Sequence, residues 1–176
     1  MLRSRTMQVS PDNSARPSDA RGDDFREVAS SALPPLDAPG TAGAFVLAHT
    51  VRDDECSALV PHANNIVILS WIDLVASRHG DAAGASRAEL AVRGRMWFVA
   101  RHEIDYLGEA FAGDALLLAT WVEKLGRTSL VRATRIVRAR DGAVLTRATS
   151  RWALVDLASR RPVAIDDDAR RRLLPP

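Results

Sequence analysis

An α+β domain, one long buried helix wrapped by a five-stranded and mostly antiparallel sheet, is the architecture this sequence predicts. Three observations carry that expectation. The segment from Ile66 to His79 holds almost no charge, and Val67, Leu69, Trp71, Leu74 and Val75 place apolar groups on several of its sides. One strand-like run, Ala44 to Arg52, stands ahead of it. Four longer strand-like runs joined by short turns come after it, within residues 96–156.

The chain has 176 residues, 47% of them hydrophobic, enough for one well-buried domain and little else. Its 24 Lys and Arg nearly cancel 22 Asp and Glu, which argues against a dedicated nucleic-acid binder. The single cysteine, Cys56, excludes an intrachain disulfide framework and a cysteine-rich zinc site. No run approaches the roughly 18 consecutive apolar residues of a membrane-crossing helix, and the basic N-terminus lacks the apolar core of a secretory signal. A cytoplasmic protein is expected.

Residues 1–43 are rich in Ser, Pro, Asp, Arg and Gly, and Pro11, Pro17, Pro34, Pro35 and Pro39 interrupt any regular element. Such a stretch buries too little to offset chain entropy, so a disordered leader is predicted, with at most a short helix around Phe25 to Ser31. The folded domain is placed at 44–165. Its first strand alternates Phe45, Leu47, His49 and Val51 against Val46, Ala48, Thr50 and Arg52. A polar loop (Asp53, Asp54, Glu55) then turns through Pro61 and two Asn residues into the helix. Within the helix, Ser70, Asp73 and Ser77 make one narrow polar stripe, and Arg78-His79-Gly80 is good C-terminal chemistry. A helical turn is expected near Ser86 to Leu90. Next, Met96, Phe98, Ala100, His102, Ile104 and Tyr106 alternate with Trp97, Val99, Arg101, Glu103 and Asp105, a period of two. Gly113-Asp114 marks a turn before the strand of residues 115–125, and Gly126-Arg127-Thr128 links it to the next. Asp141-Gly142 reads as a type I′ hairpin turn into the last strand. The tail, residues 166–176, with Arg170-Arg171-Arg172 and two prolines, is expected to stay flexible.

The free backbone N–H groups where the helix begins can polarise a carbonyl or hold an anion. Asn64 and Asn65 sit at that entrance, where Asn side chains commonly cap such groups. Arg127, Thr128 and Ser129, with Arg132, Arg135 and Arg138, put guanidinium groups on one hairpin, and arginine binds phosphates in pairs of bonds. Strand alternation puts Arg132 and Arg138 on one face and Arg135 on the other, so they cannot all line one site.

Three pieces together resemble the hot-dog fold, in particular acyl-CoA thioesterases similar to 4-hydroxybenzoyl-CoA thioesterase and the acyl-carrier-protein thioesterases. Pro61-His62-Ala63-Asn64-Asn65 is similar to that family's entry into its central helix. Arg101 to Leu107, with Gly113-Asp114 downstream, resembles its second strand and turn, and Leu125 to Ser129 its link between later strands. The resemblance covers residues 44–165. It implies an acyl-thioester hydrolase that acts on acyl-CoA or an acyl carrier protein with no metal or organic cofactor, assembled as a homodimer or homotetramer with the site at a subunit interface.

The family usually carries an Asp in the loop before the helix. In this chain Ser57 stands there if the loop has one extra residue, and Glu55 if the loop aligns at a longer spacing. A carboxylate can attack the acyl carbon or activate water, which makes Glu55 the first candidate. His62 is the implied orienting residue, the Asn65 backbone N–H the oxyanion donor, and Asp73 a helix carboxylate of the kind another branch uses. Asn64, Arg127, Thr128 and Ser129 complete the implied substrate contacts. Because the Asp is replaced, a hot-dog protein that binds an acyl thioester without cleaving it is the alternative.

Overall fold

In the computed structural model, residues 24–36, 38 and 41–174 are described. Strand β1 (Arg26–Val28) is followed by 3-10 turns at Ser30–Ala32 and Thr41–Gly43, then β2 (Phe45–Thr50) and a 3-10 turn at Asp53–Glu55. Helix α1 (Asn65–Ala82) and the short α2 (Arg87–Val92) precede β3 (Arg95–Tyr106), β4 (Ala115–Leu125), β5 (Ser129–Arg138) and β6 (Val144–Asp156), and α3 (Asp167–Leu173) closes the described chain. The strands form one sheet in the order β1-β2-β4-β5-β6-β3, antiparallel at every pairing.

The sheet curls around α1. Ile68, Trp71, Ile72 and Val75 of the helix meet Leu47, Leu116, Leu118, Ile136, Leu145 and Ala148 of the strands in the main core. Burying each of these large apolar side chains stabilises the fold by roughly 2 kcal/mol relative to leaving it in water. The helix lies chiefly over β4 and β2. The inner face of β3 is therefore left partly open, with His102 and Ile104 half-buried and Tyr106 exposed. β3 is also the sheet's edge, and its other flank pairs with no described strand.

Six expectations change against this architecture. The sheet has six strands rather than five, because Arg26–Val28 pairs with Val46–Ala48. The described part of the expected leader is thus structured: Val28, Leu33, Leu36 and Ala38 pack against Val46, Leu117, Ala119, Trp121, Ala133 and Val137 on the sheet's outer face. The central strands carry apolar residues on both faces, and this proline-rich strap covers the second one. Residues 1–23 lie outside the described residues. The tail also folds, with α3 capped by Asp166, whose carboxylate accepts from the Ala169 N–H at 2.8 Å, and with Leu173 buried.

The helix does not stop at Gly80. It runs to Ala82, and Gly84 (φ +67°) supplies the left-handed residue that ends it. Along β3 the simple alternation breaks at a bulge beside Ala100. Trp97 and Val99 pair opposite Leu154 and Trp152, while His102, Ile104 and Tyr106 pair opposite Ser150, Ala148 and Thr146. One extra residue moves Met96 and Phe98 to the opposite face from His102. The Asp141-Gly142 turn is likewise longer than a two-residue hairpin: β5 ends at Arg138, β6 starts at Val144, and only Gly142 has positive φ. The expected turn of helix near Ser86 is present as α2, whose Glu89 N–H donates to the Ser86 hydroxyl at 3.1 Å.

Candidate active site

The loop between β2 and α1 returns on itself. Cys56 bridges to Ala63, and the Ser57 N–H donates to the His62 carbonyl at 2.9 Å. Two further bonds dock the helix entrance: Ala63 N–H to the Ala110 carbonyl at 2.7 Å and Asn64 N–H to the Glu55 carbonyl at 3.0 Å. Asn64 is the N-cap, its side-chain oxygen accepting from the Ile66 N–H at 2.8 Å. Asn65 is the first helical residue, so its N–H has no carbonyl a turn earlier to bond.

A cleft of about 230 Å³ opens at this helix end, lined by His62, Ala63, Asn65, Ile68, Tyr106 and the segment Leu107 to Ala110. At its rim, His62 Nδ1 lies 3.3 Å from Glu109 Oε1. That is ion-pair distance, although the ring nitrogen stands off the line of a well-aligned hydrogen bond. With Nδ1 turned to the carboxylate, Nε2 is the ring nitrogen free to act on a substrate or water. Glu109 was invisible to sequence reasoning, since it lies 47 residues from His62 in a loop with no motif of its own.

Glu55 is elsewhere. It is 6% exposed, and both carboxylate oxygens are engaged. Oε2 accepts from the Arg52 N–H at 2.9 Å and faces His49 Nε2 at 2.8 Å, while Oε1 accepts from the Trp71 indole at 3.2 Å. Phe25 stacks on His49 at 4.0 Å between centroids, closing the far side. The carboxylate therefore ties β2, the loop and α1 together and does not line the cleft. Ser57 is half-buried and reaches His62 only through backbone.

Asp73 lies eight residues beyond Asn65, roughly 12 Å along the helix. Arg87 grips it in two bonds of 2.8 and 3.2 Å and lies 5.5 Å over the Trp152 ring. His102 faces the Ser150 hydroxyl at 2.7 Å; burial lowers its pKa, and Asp73 pulls the other way. Arg127, Thr128 and Ser129 sit at the turn after Leu125, at the opposite end of β4 from the loop near Ala115. Eleven residues of strand put them roughly 33 Å from that end, so within one chain they do not join the cleft. The Arg127 carbonyl instead anchors the C-terminal segment, accepting from the Ile165 N–H at 2.8 Å, and the Thr128 carbonyl accepts from the Leu154 N–H of β6 at 2.9 Å.

Of the arginines on β5, Arg132 points inward and is 4% exposed. Its Nη1 faces His79 Nδ1, with the Thr120 hydroxyl at 3.5 Å. Burial and the neighbouring guanidinium push the His79 pKa down to about 4, so a neutral ring accepts from the arginine; burial also lowers the Arg132 pKa to about 10. Arg135 lies over Trp121 on the outer face, and Arg138 pairs with Asp141. Among the described residues no His, Cys, Asp and Glu cluster has metal-binding geometry, and no helix is long and apolar enough to cross a membrane.

Residues 51–173 match the thioesterase-like superfamily. The chain belongs to that superfamily. Among curated relatives of this thioesterase-like protein, the chloroplastic acyl-[acyl-carrier-protein] hydrolase FATB3 of Cuphea viscosissima is 31% identical over 87 residues, 49% of this chain and 21% of the relative. The chloroplastic palmitoyl-acyl carrier protein thioesterase of Cuphea hookeriana is 28% identical over 114 residues, 61% of this chain and 28% of the relative. The chain thus spans under a third of either relative's length. Among solved structures, the 1,4-dihydroxy-2-naphthoyl-CoA thioesterase of Synechocystis superposes with a TM-score of 0.69 at 15% identity, covering 74% of this chain and 96% of that one. The fold is the hot-dog fold.

Replacing Glu55 by Ala strips three donors of their acceptor in a buried site, which is expected to lower the unfolding free energy by about 3 kcal/mol. Urea titration measures it. Turnover per folded molecule should stay near wild type; a turnover loss without a stability loss would put Glu55 in the reaction. The His79 shift gives a pH prediction. An unfolded His takes its proton near pH 6.5 and the native one only near 4, so its contribution to stability is complete above 6.5 and is lost as pH falls toward 4, by about 3 kcal/mol. His79→Gln keeps an acceptor without the titration and should flatten the unfolding free energy across that window. Equal slopes in both proteins would refute the assignment.

Proposed function

We propose that this protein hydrolyses acyl thioesters of coenzyme A or of an acyl carrier protein. The observation that carries the reading is the pairing of His62 with Glu109 at a cleft that also contains the first free N–H of α1. The superfamily and the names of the curated relatives support the reaction class. The departure at the usual acidic position, Glu55 being locked in the core, is met by a histidine base that the Tyr106–Ala110 loop orients.

In this mechanism the thioester carbonyl oxygen sits on the Asn65 N–H. His62 Nε2 takes a proton from a water as the water oxygen bonds to the carbonyl carbon. The charge that develops on the carbonyl oxygen is held by the helix N-terminus. Collapse breaks the carbon–sulfur bond, and the sulfur takes the proton from His62, giving a free acid and a thiol. Glu109 steadies the imidazolium between the two steps. No metal or organic cofactor takes part.

A second copy completes the assembly along the free edge of β3, whose twelve residues offer unpaired backbone groups with Phe98 and Val99 exposed beside them. The pantetheine arm would run along that junction, and a cytoplasmic location goes with this reading.

Thiol release from purified protein on acyl-CoA and acyl-carrier-protein panels tests the chemistry. His62→Ala is expected to lower kcat about a hundredfold or more, and Glu109→Gln to lower it less, with KM held in both. Full activity in His62→Ala, or heat protection by thioesters that are never cleaved, would remove the hydrolase reading; the latter result would install a thioester-binding protein. Light scattering should return at least twice the 19.1 kDa chain mass. A stable monomer would refute the β3 assembly.

A further inference from the structure

Beyond the cleft lies a second cavity, of about 30 Å³, beneath the short helices α2 and α3. Ala76, Ser77 and Gly80 of α1 form one wall; Arg87, Trp97, Leu130, Arg132, Trp152 and Leu173 are among the others. Its two guanidinium groups differ in one respect. Arg87 has its counter-ion in Asp73, whereas Arg132 has no carboxylate within ion-pair distance among the described residues. Its hydrogen-bond partners, His79 and Thr120, are both neutral, and they use Nη1 alone. A fully buried cation is costly unless an anion compensates it. Trp152 adds a second donor: it is 5% exposed, and its indole N–H is buried without an acceptor.

Size and position narrow the ligand. A water needs roughly 10–15 Å³ on the same scale, so the cavity holds about two waters, or one carboxylate, and is too small for a phosphate. It adjoins the helix at Ala76, eleven residues beyond Asn65, which is roughly 16 Å along the axis. The partly open inner face of β3, through Tyr106, Ile104 and His102, runs alongside α1 between the two places.

We propose that this cavity is a carboxylate-binding subsite anchored by Arg132, receiving the far end of an acyl group whose thioester lies at Asn65. The preferred substrates are then thioesters of dicarboxylic acids, a choice that rests on the hydrolase reading above. The acyl methylenes lie along α1 and β3, and the terminal carboxylate accepts from the free N–H groups of Arg132. The same chemistry could come from a free small carboxylate, and the experiment separates the two sources.

The test compares CoA monothioesters of dicarboxylic acids with plain acyl-CoAs of equal chain length, on the full chain. For the length that spans the two sites, kcat/KM should favour the carboxylated thioester about tenfold or more, the gain of one buried charge-assisted pair. Arg132→Gln should abolish that ratio while plain acyl-CoAs are still cleaved, and Arg132→Lys should keep part of it. Should the variants fail to fold, the wild-type ratio decides by itself, and a ratio of one or below overturns the proposal. Stabilisation by acetate or formate with no chain-length preference marks a free-anion site and also overturns it. If no thioester is cleaved at all, the hydrolase reading fails separately. The subsite then stands only if the dicarboxylic thioester raises the melting temperature above the plain one, and it falls if it does not.

Discussion

Everything in this fold depends on burying one face of a nearly uncharged helix while leaving its first turn open. Ile68, Trp71, Ile72 and Val75 are apolar residues that water would expel, and a curled antiparallel sheet is the surface that covers them. Because α1 rests mainly on β2 and β4, its N-terminus projects to the end of the sheet where the Pro61–Asn65 loop and the Tyr106–Ala110 segment meet. The backbone bond from the Ala63 N–H to the Ala110 carbonyl fixes that meeting point. The site follows from the packing.

The two glutamates near the loop divide the work. Glu55 is buried, takes hydrogen bonds on both oxygens and joins three elements, so its charge is spent on architecture. Glu109 is exposed, makes one loose contact with His62 and is free to respond to charge on the ring. A carboxylate in the first setting is fixed by its donors, whereas one in the second keeps water around it and one oxygen toward the ring. This contrast in solvation, more than distance along the chain, separates the two acids.

The arginines follow a comparable logic. Arg87 and Arg138 are compensated by Asp73 and Asp141, and Arg135 lies flat on Trp121 at the outer face. Arg132 stands apart as a buried cation whose neighbours are neutral. Its cost is held in check by His79, which burial and the guanidinium together keep deprotonated at ordinary pH. That spare positive charge, beside the buried indole N–H of Trp152, sets this cavity apart from the cleft at the helix entrance.

Periodicity and local chemistry determined a good deal unaided: the α+β class, the long helix, the four long strands behind it, Asn64 as the cap and α2 near Ser86. These are short-range properties, set by residues within a turn or a strand repeat of one another. The alternation of β3 changes phase at Ala100, because a bulge is an insertion relative to a partner strand and has no signature within its own. Leu33, Leu36 and Ala38 read as loose chain, since their order comes from packing on the sheet's outer face. Glu55 reads as the first candidate acid in the sequence, and Glu109 carries no motif of its own. Burial, charge compensation and the meeting of His62 with a residue 47 positions away are properties of the packed molecule, and only the tertiary structure decided them.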